Sequence, residues 1–185
     1  MTHLDYANWV PLPAPLTSGT TVQSFTDPTG EVWIAKNGVN GGAWARARDV
    51  LHASYYRTTV FNTPANSPQA FGYNALLSDA YGLYNPGTGV ATYPIAGWFR
   101  LEMWLGASAT ATGQWLNAVI QVSGGNAASE QAWASAAGFV MVCASLVRPV
   151  GMNEAWTTIM NSSVALTGRN NADTTRMTIN YLGTG

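Results

Sequence analysis

From Asp49 to the C-terminus, short apolar runs alternate with clusters of Gly, Pro, Asn and Ser, and no long segment repeats at helical spacing. That pattern predicts an all-β sandwich. Strands are expected over residues 50–61, 70–77, 81–84, 90–93, 98–107, 114–123, 138–147, 155–161 and 175–182, while "ASEQAWASAAG" is compatible with a helical turn instead. Within "WFRLEMWL", residues 98–105, period-two alternation puts Phe99, Leu101, Met103 and Leu105 on one face and Trp98, Arg100, Glu102 and Trp104 on the other. The first face is a sandwich core. The second is too aromatic for free solvent and predicts cover by a loop or a neighbouring subunit; across subunits, Arg100 and Glu102 would need partners, an Arg–carboxylate bond being the natural one. "FVMVCASLV" is apolar on both faces and reads as a central strand buried on both sides. "TRMTINYL" alternates cleanly, with Met177, Ile179 and Tyr181 inward and Arg176, Thr178 and Asn180 outward.

Residues 1 to about 45 follow a different pattern. "VPLPAPLTSGTT" places three prolines within five residues, which favours an extended polyproline-like path. Such an arm has few periodic apolar positions, so Trp9, Val10 and Leu12 are expected to bury against a partner or against the body. "SFTDPTGEVWIAKNGVNGGAWARA" reads as a small β-hairpin, with turns at Asp27–Gly30 and Gly38–Gly42 around a strand carrying Trp33. The Gly cluster lacks the Lys-Ser/Thr ending and the following helix of a phosphate loop. The chain therefore divides into an arm with its hairpin, 1–45, and a β-sandwich body, 46–185.

Composition changes this picture in one respect. Charged residues make up 9% of the 185-residue chain, against about 25% in ordinary globular proteins, while 47% are hydrophobic and eight are Trp. So little charge cannot coat a monomer's surface, which points to assembly. Eight Lys and Arg against nine Asp and Glu give no field to attract nucleic acid or an anionic membrane. Lys36 is the only lysine; the remaining positive charges are Arg, which suits packed and interface positions. Cys143 is the only cysteine, so neither a disulfide framework nor a cysteine-based metal site is expected, and it reads as a small buried hydrophobe. The N-terminus shows no basic segment followed by an apolar one, and no run of about twenty apolar residues occurs, so the expectation is a soluble chain without a signal peptide.

No catalytic constellation is legible. His3 lies near the terminus and His52 in an apolar run, where a structural role is expected. The acidic residues form no HExxH, DxD or paired-carboxylate motif, and no G-x-S-x-G occurs. Asp79 and Asp173 read as polar turn residues. Asn161 opens an "NSS" triplet, which reads as a turn. The expectation is a non-enzyme without cofactor or metal. As an alternative, Tyr55, Tyr56, Tyr73, Tyr81 and Trp133 are candidate stacking platforms for a carbohydrate-binding module.

The segment Tyr84-Asn85-Pro86-Gly87-Thr88-Gly89, followed by Val90–Pro94 and Ile95-Ala96-Gly97-Trp98-Phe99, resembles the "YdPxTGxFtxPxxGxYxF" core of the complement component one, q globular head and, more broadly, of tumour-necrosis-factor-like trimers. The terminal "RMTINYLGTG" is similar in place to that family's last strand. The resemblance implies a homotrimeric jelly roll over residues 50–185, with Trp98, Arg100, Glu102 and Trp104 at the trimer interface. The pairing of "GEVWIAKNGVNGGAWARARDVLHA" with such a body and a "YLGTG" end resembles small virion proteins, minor tail or head-decoration, of tailed phages infecting actinobacteria. It implies a structural protein of the particle, with phage capsid or tail proteins and host surface glycan as partners. The chain would be anchored through Trp9, Val10, Leu12 and Trp33, and the virion would be released by lysis.

Overall fold

The computed structural model describes residues 12–19, 21–63 and 65–184. In chain order the strands are β1 Gln23–Thr26, β2 Val32–Ala35, β3 Ala45–Arg46, β4 His52–Tyr56, β5 Phe61–Thr63, β6 Gln69–Ala70, β7 Ala75–Ser78 and β8 Tyr84–Asn85. They continue as β9 Val90–Thr92, β10 Gly97–Ala109, β11 Trp115–Val122, β12 Gly125–Trp133, β13 Gly138–Val150, β14 Ala155–Ser162, β15 Leu166–Gly168 and β16 Arg176–Gly183. One helical turn, α1 Ala47–Val50, precedes β4.

Two antiparallel sheets enclose the core. In the first, β10 lies centrally: it pairs with β13 along its full length on one side and with β16 and β15 on the other, and β16 leads on to β4 and β7. The second runs β12-β11-β14-β9-β8, with β6 added to β14. Phe99, Leu101, Met103 and Leu105 have no exposed surface, and Met177, Ile179 and Tyr181 are buried beside them. Alternation in both segments is as the sequence predicts.

Aromatic rings tie the sheets together. Trp156 of β14 meets Tyr93 edge-on at 4.9 Å, Tyr93 meets Phe99 at 4.4 Å, and Phe99 meets Tyr181 at 5.0 Å. Such pairs contribute about 0.5–1.5 kcal/mol each beyond the area they bury. Gly97, which opens β10, has φ +151, and a Cβ there would meet the Tyr181 ring at 2.5 Å and the Gly183 carbonyl at 2.9 Å. The Pro/Gly corner of the sequence is thus a place where only glycine lets β10 approach β16.

Several expectations are corrected. "FVMVCASLV" is not a central strand: among the described residues β13 pairs with β10 alone, which makes it an edge strand, and along it Phe139 and Met141 face outward and are exposed. The run 50–61 is not one strand: β4 ends at Tyr56 and β5 begins at Phe61, and between them the Thr58 N–H donates to the Asn74 side-chain carbonyl at 2.9 Å instead of to a neighbouring strand, while the Arg57 guanidinium donates to the Gly72 carbonyl at 2.7 Å. "ASEQAW" is not helical; it pairs with β11 as most of β12. Asn161 lies within β14 rather than in a turn. Asp79 does organise a turn, accepting from Leu83 N at 2.8 Å, Tyr84 N at 3.0 Å and the Tyr55 hydroxyl at 3.0 Å.

The N-terminal hairpin is a three-stranded sheet, β1-β2-β3, whose last strand straddles the boundary expected at residue 45. Val32 and Ile34 are buried in one cluster with Ala47, Leu51 and Tyr181 of the body. Asp27 organises the first turn: its Oδ1 accepts from Thr29 N and Oγ1 and from Glu31 N, and its Oδ2 accepts from the Trp33 indole at 2.9 Å. These donors hold its carboxyl at about 2, below the ordinary 3.8.

A depressed carboxyl contributes stability that is present above its unfolded value and lost as pH falls through its folded one. The Trp33 indole N–H resonance is therefore expected to titrate with a midpoint near 2. The titration should vanish in Asp27→Asn; a midpoint near 4 would mean that Asp27 is not held by this turn.

Candidate functional site

The outward face of the first sheet is built by register. Glu102 of β10 lies opposite Ser145 of β13 and Thr178 of β16, and Thr178 lies opposite Ser54 of β4. One row away, Trp104 lies between Cys143 and Arg176, with Tyr56 beyond. The row on the other side holds Val147, Arg100, Asn180 and His52. Four segments distant in sequence thus present one surface.

That surface mixes apolar area with unpartnered donors. Trp98 is 39% exposed, and Phe139, Met141, Val147 and Leu182 expose comparable fractions. Phe139 lies across Gly106, where a Cβ would meet the ring at 2.9 Å, and the Arg169 guanidinium caps the ring at 5.0 Å. The Arg176 guanidinium stacks on Trp104 at 5.1 Å. Trp104 Nε1 and Arg176 Nε are both buried without a hydrogen-bond partner. Each such donor costs roughly 1–3 kcal/mol until an acceptor reaches it. Glu102 accepts from the Thr178 hydroxyl at 3.1 Å, and among the described residues Arg100 forms no ion pair.

The four residues expected at an interface, Trp98, Arg100, Glu102 and Trp104, therefore do share one face. Sequence reading missed their neighbours Arg176, Tyr56 and Met141 as parts of that surface, because only the strand order sets them side by side. Two readings are corrected. His52 is exposed at the end of a row rather than packed in an apolar core, and Cys143 is only half-buried, on the outward face beside Trp104. Among the described residues no three of His, Cys, Asp and Glu converge as metal ligands.

Of the expected arm contacts, Trp9 and Val10 lie outside the described residues, and Leu12 is exposed. Leu16 N donates to the Gly42 carbonyl at 2.9 Å, and the Trp44 indole donates to Ala14 O at 3.2 Å. Trp33 is engaged within its own sheet, donating to Asp27 and lying under the Arg46 guanidinium at 5.6 Å. Of the candidate stacking platforms, Tyr55, Tyr73 and Tyr81 are buried, and Tyr56 is half-buried. Trp133 is 62% exposed, on the second sheet.

Among solved structures the chain is similar to murine APRIL, with 9% identity, 71% of this chain and 98% of that chain covered, and a TM-score of 0.52. It is also similar to the Eiger TNF from S. frugiperda, at 5% identity over 72% of this chain and 93% of that one, with a TM-score of 0.50. The globular domain of zebrafish complement 1qA protein aligns at 12% identity over 72% and 98% of the two chains, with a TM-score of 0.47. The first two carry the fold assignment: the chain has a jelly-roll β-sandwich fold similar to theirs. No family model matches the chain, and no curated protein does.

Burial, with the Glu102 carboxylate nearby, pushes the Cys143 thiol from 9.0 up to about 11. Because only the thiolate reacts, labelling of Cys143 by a disulfide reagent at pH 8 is expected to run about 100-fold slower than for a free thiol and to rise about tenfold per pH unit up to pH 10. A rate matching free cysteine would show this part of the face to be open.

Proposed function

We propose that this chain is a homotrimeric structural protein that self-associates through the outward face of its first sheet. The observation that carries this reading is the row containing Trp104: an indole N–H and an Arg176 Nε, both buried and unpartnered, lie among exposed Trp98, Met141 and Val147. A second copy would bury the apolar area, worth roughly 25 cal/mol per Å² before ordering costs, and bring acceptors to the orphan donors. Arg100 and Glu102 then supply opposite charges for bonds between protomers. In this reading the protein works by binding and catalyses nothing.

The particle reading belongs to the same proposal. The trimer is a virion component of a tailed phage, a minor tail or capsid decoration protein, anchored through residues 1–45 and displayed on the particle. Capsid or tail proteins are its partners, with host surface glycan as a further one. It is supported by the low charge, by the proline-rich arm preceding the jelly roll, and by the resemblance of "GEVWIAKNGVNGGAWARARDVLHA" to small virion proteins.

Light scattering of the wild type should give three times the 19.6 kDa chain mass. Trp104→Asp removes an aromatic anchor from the proposed interface and leaves a hydrated carboxylate there, at a cost of about 2–4 kcal/mol, so the trimer should weaken about 30-fold or more. In the separate chain that carboxylate has Arg176 beside it, and thermal stability should shift by no more than about 1 kcal/mol. An unchanged trimer mass in the variant would refute the interface. Gold-labelled antibody on source particles tests the location: label at lattice spacing means capsid decoration, label at the tail end means a tail role, and no label on any particle refutes the virion reading.

A further inference from the structure

The second sheet also has an outward face, and its chemistry differs from that of the first. Leu116, Ala118 and Ile120 of β11 point into the core, which turns Trp115, Asn117, Val119 and Gln121 to the other face, where Val119 is buried between Ser129 and Ile159. Register then sets Trp133 opposite Trp115, and lines up Gln131, Asn117 and Asn161 as one row of carboxamides across β12, β11 and β14. On the far side of Ser129, Gln121 lies opposite Asn126 and Thr157. None of the side chains that these three strands turn outward is charged; Glu130 lies opposite Ala118 and belongs to the other face.

The polar groups are partly fixed and partly open. The Ser129 hydroxyl donates to Asn117 Oδ1 at 3.0 Å, Gln121 Nε2 donates to Asn126 Oδ1 at 3.0 Å, and Asn161 Oδ1 accepts from Ser162 N at 2.8 Å. Those bonds orient the amides and leave the N–H groups of Asn117 and Asn161 directed to incoming acceptors. Among the described residues the Gln131 side chain has no hydrogen-bond partner, so it offers both a donor and an acceptor. Trp115 meets Trp133 edge-on at 6.5 Å, which steadies the second indole while leaving its face open.

We infer that this face binds a neutral glycan. A pyranose has an apolar C–H face that stacks on an indole, and a rim of hydroxyls that both donate and accept, which is what carboxamides do. Trp133 supplies the platform. The amide row lies two residues along the strands, about 7 Å away, and receives the hydroxyls of the next sugar. The lack of cations gives uronates, sialic acids and phosphorylated sugars nothing to pair with, and the lack of carboxylates does the same for amino sugars. A protein partner would call for a larger apolar centre ringed by charge. The inference deepens the glycan contact of the displayed-protein reading by naming face and ligand class, but it requires neither trimer nor particle.

The test is a panel of immobilised polysaccharides presented to the full-length protein, with mannan, galactan, arabinan and glucan as neutral probes and alginate, hyaluronan and heparin as anionic ones. Binding of at least one neutral polymer is expected, unaffected by raising salt. Trp133→Ala should weaken it about tenfold or more and Gln131→Ala by a smaller factor, with the light-scattering mass unchanged in both. Trp104→Asp should retain the per-site affinity, read with soluble oligosaccharides of the bound polymer so that avidity does not enter, and loss of the trimer and loss of the glycan site are then read separately. The inference is overturned by failure to bind any neutral probe, by binding that survives Trp133→Ala, or by a preference for anionic probes that falls with salt. A change of oligomeric mass in Trp133→Ala would also overturn it, by making this face a contact between copies.

Discussion

The strand β10 constrains the rest of the molecule, since it pairs with β13 along its whole length on one side and with β16 and β15 along most of it on the other. Four of its inward residues, Phe99, Leu101, Met103 and Leu105, have no exposed surface. At about 1.5–3 kcal/mol for each buried side chain, their removal from water is a large share of the stability of a domain this size. A slip of one residue would exchange all four for Trp98, Arg100, Glu102 and Trp104, and would put an Arg and a Glu into the core at a cost of several kcal/mol each. The register is locked from inside. The aromatic and charged row on the outward face is therefore not an accident of surface packing; it stands where the core requires it to stand.

From that lock the two outer faces diverge. The first sheet turns out indoles, a thioether, a thiol and charges of both signs, with donors that lack acceptors inside the chain. The second turns out amides, hydroxyls, two indoles and the aliphatic Val119 and Ile159, with no charge. A surface of the first kind gains by excluding water against a complementary surface, because its orphan donors and apolar area are both costs in solvent. A surface of the second kind loses little in water and is suited to a hydrated ligand whose own groups exchange one for one with it.

The sequence made some of this legible and hid the rest for identifiable reasons. Alternation in "WFRLEMWL" and "TRMTINYL" shows which residues face inward, because a half-buried strand carries its own period. In β13 the outward Phe139 and Met141 are as apolar as the inward Val140 and Val142, so alternation disappears and an edge strand imitates a central one. In β12 the Ala-rich, Glu-containing "ASEQAW" has poor intrinsic β preference and is a strand because β11 pairs with all six of its residues. Trp98, Arg100, Glu102 and Trp104 are readable together since they lie on one strand. Arg176 and Cys143 join them only through cross-strand register, as do Gln131, Asn117 and Asn161 on the other sheet. Sites of that kind are written in the pairing of strands, and no local window contains them.

The two assignments also support each other geometrically. The outward faces of a sandwich point in opposite directions, so association through the first sheet leaves the second exposed on every protomer. One indole and a row of amides make a shallow site, and contacts of that size are weak singly. Three of them on a closed assembly convert the second and third contacts into intramolecular events governed by effective concentration, which raises avidity by factors on the order of 10² to 10⁴ without any new contact. A trimer would thus strengthen a flat, uncharged glycan face without altering its contact in any one chain, and the strand register that locks the core is what holds the two faces back to back.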